Sequence, residues 1–401
     1  MNSPVQTVTM GSQLPVQSRR AYAVVLTGLA LALSAHAANV PRIPLRAGLA
    51  IVTAVHDRDG DYESIKTFES EDAQSLRIKY SAEAPHSSDI LDTATPYIQY
   101  RPYPSDPSRV IQTTTVHRVV LRADLKNSDH YLRLFAPPPA VAETVPGTTA
   151  VGTSASVLNA FNTKRSADFT TYYAAFPAVP ITSADSTQGN LMDPRFRGTL
   201  KRVEAGTVGV PVVVNGTLIN LPAIHVKGLL IDVASEFWFL DDPDNPLTLR
   251  FTFGKEQLDV IRINFPGDSA LMPGAGPPAS AIEQSLANSG RADVYGIYFG
   301  FDSDVIRAES EQVLKEIAAV LAKHPDWKLA VGGHTDNIGG PDFNLELSKR
   351  RSLAVKKALV DRYHIVPGRL ATAGYGLAQP KATNETLEGR ALNRRVELVK
   401  D

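Results

Sequence analysis

The sequence predicts a multidomain chain: a β-rich N-terminal domain, sandwich or barrel, followed by a C-terminal α/β sandwich. Three observations carry this. Apolar and polar residues alternate with period two through much of the chain ahead of residue 266. A stretch rich in Pro, Gly, Ala and Ser then intervenes, and beyond it strand-like runs alternate with segments of helical spacing.

The elements follow in order. Arg19 and Arg20 precede an uncharged apolar run over 21–35, which closes with Ala35-His36-Ala37. A positive flank, an apolar core and a small-residue cleavage pattern predict a secretory signal peptide over 1–37 and a mature chain outside the cytoplasm. The run is short against the ~20 residues of a spanning helix, so an uncleaved membrane anchor is the lesser reading.

Residues 38–265 read as a β-rich periplasmic domain. Strands are expected at 76–80, 117–125 and 130–135. Asn215-Gly216 between two β-branched runs predicts a tight hairpin, because both turn positions accept positive φ. A second hairpin is expected around the acidic turn 241–246. The Thr/Ser/Gly/Ala-rich stretch 143–156 reads as an exposed loop. Aromatic residues make up only 7% of the chain and prolines interrupt often, which disfavours a membrane barrel with aromatic girdles.

Residues 266–285 read as a linker. The C-terminal domain, 286–401, is expected to contain strands at 294–301, 328–334, 369–376 and 394–400. Val313, Leu314, Ile317, Val320 and Leu321 stand at helical spacing. Asn344 is the expected N-cap of a helix reaching about Tyr363, and a short helix starts from Thr386.

Composition excludes several classes. A net charge of -1 gives no footprint for nucleic acid. The absence of cysteine removes disulfides, thiolate metal sites, a cysteine nucleophile and a lipid-modified N-terminal cysteine.

The chemistry concentrates in 332–351. Asp336 lies past a strand end in a turn loosened by Gly332, Gly333, Gly339 and Gly340, and Arg351 lies two turns into the following helix. An acid and a guanidinium held near one another match a zwitterion, the carboxylate taking an ammonium and the fork taking a carboxylate. The two residues could equally pair with each other. A metal reading has only His334 and Asp336 to draw on, with His324 and His364 at the ends of neighbouring helices. A hydrolytic reading lacks a serine beside His334 and paired carboxylates in an apolar setting. No metal or cofactor is expected.

Four ordered motifs then bear on these alternatives: G-H-T-D-N-x-G at 333–339, F-N-x-x-L-S-x-x-R at 343–351, G-Y-G-x-x-x-P at 374–380 and N-x-T-x-E-G-R-x-x-N-R-R-V at 384–396. Together, over about 295–400, they resemble the OmpA-like peptidoglycan-binding domain. The resemblance implies a βαβαβ-type α/β sandwich and a diaminopimelate residue of the wall stem peptide as ligand. It implies that Asp336 and Arg351 grip the zwitterionic end, that Thr335, Asn337 and Asn344 line the same loop and helix start, and that Arg394 closes one side. One departure stands out: Gly300 replaces the first acid of the family's frequent F-D-F-D strand, at a place expected to lie away from the gripping pair.

Other stretches carry less. Residues 152–156 approach G-x-S-x-G but lack the last glycine and the strand-to-helix setting. Asp241, Asp242 and Asp244 lack the spacing of a calcium loop. Phe237, Trp238 and Phe239 read as core and edge packing rather than a sugar platform. The expectation is a non-enzymatic protein that binds peptidoglycan, with the β-rich domain contacting the outer membrane or another envelope protein. The alternative makes the β-rich domain a wall hydrolase delivered by the C-terminal domain. A flagellar stator subunit would need an acid-bearing spanning helix, and 21–35 has no acid.

Overall fold

The computed structural model describes residues 42–57, 60–88, 98–103, 108–132, 143–172, 195–215, 217–265 and 278–401. The expected signal peptide, 1–37, lies outside the described residues, as does 266–277 of the expected linker. Residues 41–401 make one compact unit.

The β-rich region contains β1 (Ala50–Asp57), β2 (Gly60–Glu71), β3 (Ser75–Ser87), β4 (Ile98–Pro102) and β5 (Arg109–Leu121). These lead to helix α1 (Arg122–Asn127), β6 (His130–Leu132), helix α2 (Ala155–Lys164), β7 (Ser166–Tyr172) and β8 (Arg195–Arg202). Then come β9 (Val208–Val214), β10 (Thr217–Leu230), β11 (Val233–Leu240), β12 (Thr248–Phe253) and β13 (Glu256–Asn264). All thirteen strands belong to one sheet, in the order β4-β5-β3-β2-β1-β13-β12-β11-β10-β8-β7-β6, with β9 off the path and paired to both β10 and β13.

That double pairing decides between sandwich and barrel. β9 runs antiparallel to the first half of β10 and parallel to β13 at Val213 and Val214. β10, β11, β12 and β13 pair in succession, so β9 to β13 close into a ring and the sheet is barrel-like. The tight hairpin forms where Asn215-Gly216 predicts it: Thr217 pairs with Val214, and Asn215 takes φ 45°, in the left-handed region. β11 and β12 form the hairpin around the acidic turn.

The stretch 143–156 is exposed only toward its ends. Residues Thr148 to Ser154 are buried or nearly so: Thr149, Val151 and Ser154 are at most 2% exposed. Small side chains bring the backbone close enough to pair. Thr248 N donates to Val151 O at 3.0 Å and Thr153 N to Pro246 O at 3.1 Å, while a Cβ on Gly152 would sit 2.0 Å from Pro246 O. Ser154 then caps α2, accepting from Val157 N at 3.3 Å, so this serine is a helix cap buried beneath the surface. α2 itself was not expected. Its Val157, Leu158 and Phe161 bury one face among Phe169, Phe237, Phe239 and Phe251, which bears out core packing for Phe237 and Phe239, while half-buried Trp238 stacks on His225 outside this cluster.

After the undescribed stretch, Pro278–Ser289 is helix α3, so the linker composition that runs on to 285 is partly helical. The C-terminal elements are β14 (Arg291–Val294), α4 (Glu311–Lys323), β15 (Leu329–His334), α5 (Pro341–Tyr363), β16 (Leu370–Gly376), α6 (Leu387–Asn393) and β17 (Val396–Lys400). The four strands form a mixed sheet, β14-β17-β15-β16, with only β15 and β16 parallel. Leu286, Leu314, Ile317, Val355 and Leu359 from the helices join Val331 and Leu398 from the sheet in one apolar cluster.

One expected strand is displaced. The strand is Arg291–Val294, and the apolar run 295–301 leaves the sheet. Tyr298 packs instead with Val52, Ala54, Ile65 and Ile261 of the β-rich region, together with Ala391. Its hydroxyl pairs with Asn264. Tyr298 is thus buried against the neighbouring region, while Ile297 and Phe299 pack into the core of the C-terminal domain itself. Ion pairs surround this contact: Arg390 reaches Asp61 at 3.0 Å, Arg250 reaches Glu388, and Glu83 accepts from Phe301 N while pairing with Arg101. Gly300 leaves room for Glu83, whose Oε2 would stand 3.2 Å from an added Cβ. The departure from F-D-F-D is thus where the β-rich region seats.

Candidate functional site

The site forms where β15 hands over to α5. Gly333 and Gly374 let the helix lie on the two parallel strands, since a Cβ on either would come within 2.2 Å of Ser348 O or 2.5 Å of Lys349 N. The helix starts at Pro341, one turn before the expected cap, because proline is preset for the first helical position and Gly340 takes the cap. Asn344 is therefore inside the helix. It is 2% exposed, and its amide donates to Ile338 O at 3.0 Å and Gly339 O at 3.3 Å, bracing the loop from behind. Gly339 makes the turn at φ 92°.

Asp336 Oδ1 accepts from Ile338 N at 3.0 Å, which fixes the carboxylate in the loop. Its other oxygen accepts from Arg394 Nη1. Asp336 and Arg351 do not pair with each other. Arg351 donates Nε to Ser303 O at 2.9 Å, its guanidinium lies 4.9 Å from the Phe299 ring centre, and it makes no ion pair among the described residues. Burial, followed by the nearby Arg394 cation, pulls its pKa down to about 10, so it stays charged at neutral pH. The stretch 299–303 is thus part of the arginine's seat rather than remote from it.

The six residues singled out in the sequence divide accordingly. Asp336 and Arg394 touch, and Arg351 stands beside them with its terminal nitrogens unclaimed. Asn337 is exposed on the loop, whereas Thr335 is buried, donating to Asp336 O at 3.0 Å. Thr335 and Asn344 therefore shape the loop from inside. Two participants were not foreseen. Glu63 on β2 accepts from Arg394 Nε at 3.1 Å, and Arg262 on β13 donates to both Glu63 oxygens at 2.9 Å. Burial works to raise the Glu63 pKa, but Arg262 and Arg394 outweigh it and hold the carboxyl at about 2.

His334 faces away from this chemistry. It is 3% exposed, stacks on Tyr375 with ring centres 4.9 Å apart, and lies 3.4 Å from Glu397. Among the described residues no cluster of three or more His, Cys, Asp or Glu side chains is arranged to hold a metal. Burial first, then the Arg395 cation, lowers the His334 pKa from 6.5 to about 4. Between those values the unfolded chain binds the proton that the folded chain refuses. Stability is fully present above pH 6.5 and is lost as pH falls toward 4, by about 3 kcal/mol at most. Urea unfolding at pH 7 and pH 4 is expected to show this loss, and a His334→Phe variant a smaller one; equal losses in both would refute it.

The loop thus offers a fixed carboxylate, and α5 a guanidinium fork that pairs with no side chain among the described residues and lies near enough for Asp336 to act on its charge. An ammonium suits the first and a planar carboxylate the second.

Comparisons with known proteins cover the C-terminal part of the chain. A family model described as the OmpA family matches residues 298–394. Outer membrane porin F of Pseudomonas aeruginosa is 41% identical over 101 residues, covering 25% of this chain and 29% of the porin. Peptidoglycan-binding protein ArfA of Mycobacterium tuberculosis is 38% identical over 125 residues, covering 31% of this chain and 38% of that protein. The chain thus spans about a third of the length of these curated relatives. Among solved structures, the peptidoglycan-associated lipoprotein from Burkholderia pseudomallei is 30% identical, over 26% of this chain and 88% of that one, with a TM-score of 0.25. The C-terminal quarter of the chain, residues 298–394, is a domain of the OmpA family.

Proposed function

We propose that the chain binds peptidoglycan non-covalently through its OmpA family domain and so tethers the β-rich region to the cell wall, in the periplasm. The observation that carries this is the unclaimed Arg351 fork beside the loop-bound Asp336 carboxylate. The ligand is the diaminopimelate residue of the stem peptide: its ammonium goes to Asp336, its carboxylate to Arg351, and Arg394 forms the side wall. Thr335 and Asn344 hold the loop, and exposed Asn337 meets the ligand's flank. Relatives that share the domain include a protein named as peptidoglycan-binding, which supports the same reading. The β-rich region then carries a separate contact, with the outer membrane or another envelope protein. No catalytic step enters this reading.

Wall chemistry tests it. Lysine in place of diaminopimelate lacks the second carboxylate and leaves Arg351 without its partner, at a cost of about 1–3 kcal/mol. Purified full-length chain is expected to be retained by diaminopimelate-type sacculi and held correspondingly less by lysine-type sacculi. Equal retention on both, or none on either, sinks the assignment.

A further inference from the structure

The geometry points to a composite binding site: Glu63, carried on β2 of the β-rich region, is a positioning residue that holds Arg394 in place against Asp336. This rests on the wall-binding reading above and assigns part of that site to a region outside the OmpA family match.

Glu63 is well placed for such a role because it is itself held. Arg262 is 3% exposed and grips both Glu63 oxygens. It also lies against the face of Tyr298, 5.5 Å from the ring centre, and its Nη1 reaches toward the backbone oxygens of Tyr295 and Arg394. A buried guanidinium on β13 thus presents the carboxylate of β2 to the C-terminal domain. Arg394 answers with Nε and Nη2, and has Nη1 left for Asp336.

The division of Arg394 between two carboxylates has a chemical consequence. Arginine is long and rotamer-rich, and a free guanidinium beside a lone carboxylate settles on it with both prongs. Alone with Asp336, Arg394 could take both lone-pair faces that a ligand ammonium needs. Glu63 claims Nε and Nη2, which confines Arg394 to a single-pronged contact. It also keeps Arg394 close enough to Arg351 for its cation to act on that guanidinium, an arrangement that favours an arriving carboxylate.

A rival role would make Glu63 a stand-in for the ligand's carboxylate, blocking the site until displaced. The placement argues against it. Glu63 ion-pairs with Arg262 and Arg394; its charge acts on Arg351, the residue that would receive the ligand's carboxylate, but it makes no ion pair with it among the described residues.

Because Glu63 acts through Arg394, a double-mutant cycle on the full chain tests the proposal, read as apparent affinity for diaminopimelate-type sacculi. Glu63→Gln and Arg394→Gln are each expected to weaken retention about tenfold, and the double variant to be no weaker than Arg394→Gln alone. Asp61→Asn breaks the neighbouring cross-region pair with Arg390 on the same strand, and is expected to stay within about twofold of the parent. Multiplying losses in the cycle, equal losses in Asp61→Asn, or tighter binding by Glu63→Gln would each overturn the positioning role. If Glu63→Gln does not fold, Glu63→Asp replaces it: the charge remains, the reach shortens, and any loss must again vanish in the Arg394→Gln background. An Asp336→Asn, Arg351→Met variant that binds as the parent does would overturn the wall-binding reading itself, an outcome independent of the cycle.

Discussion

The Asp336→Ala, Arg351→Ala double variant is expected to lose at least about a hundredfold in retention on diaminopimelate-type sacculi, since each charge-assisted contact contributes about 1.5–3 kcal/mol. The fold should survive the change. Arg394 keeps Glu63 when Asp336 is removed, and Arg351 gives up only a backbone contact to Ser303 and its stacking on Phe299. Circular dichroism and thermal melting check that point before binding is measured. Undiminished retention by a folded double variant sinks the site assignment. A loss seen only in the Arg351 single variant would instead give the ligand's carboxylate the whole of the recognition.

Tyr298→Ala is expected to have the largest effect on stability, about 3–5 kcal/mol, the range for truncating a buried aromatic side chain. The ring is 5% exposed and fills the apolar cluster shared between Ile65 and Ile261 on one side and Ala391 on the other. It also forms the face on which Arg262 rests. The two regions keep separate cores, one around Phe237 and Phe239, the other around Leu314, Val331 and Leu359. Removing the ring therefore weakens the contact between cores more than either core. Calorimetry is expected to resolve two transitions in the variant where the parent shows one. An unchanged single transition would show that the ring contributes little to the joint.

What the sequence reveals in this protein follows how local each feature is. The loop from β15 into α5 was legible because Gly333, Asp336 and Arg351 stand within twenty residues and carry their spacing with them. The Asn215-Gly216 hairpin was legible for the same reason. The exposed-loop expectation at 143–156 failed over 148–154 because small polar residues have two uses: they suit solvent, and they also suit close backbone packing, as Gly152 shows against Pro246. The strand expected at 294–301 failed because an apolar run announces burial without naming the partner: Tyr298 meets Val52 and Ile65, while Ile297 and Phe299 join the core of their own domain. Glu63 and Arg262 gave no signal at all. They sit in ordinary alternating strands 199 positions apart and meet only because β1 lies between their strands.

That central place of β1 also bears on the order in which the chain can fold. β1 gains one neighbour at once, since β2 follows within a few residues of its end. Its other neighbour is β13, so residues 50–57 wait for residues 256–264 before their second ladder can form. Contacts of such sequence separation carry a large loop-closure entropy and slow a fold that depends on them. Val213 and Val214 must meet β13 as well, which makes Glu256–Asn264 the keystone of the region. Until that segment is made, β1 to β5 are a half-sheet with an open edge, a state that invites pairing with other chains. The C-terminal domain, by contrast, draws its sheet from residues 291–400 alone and has no such wait.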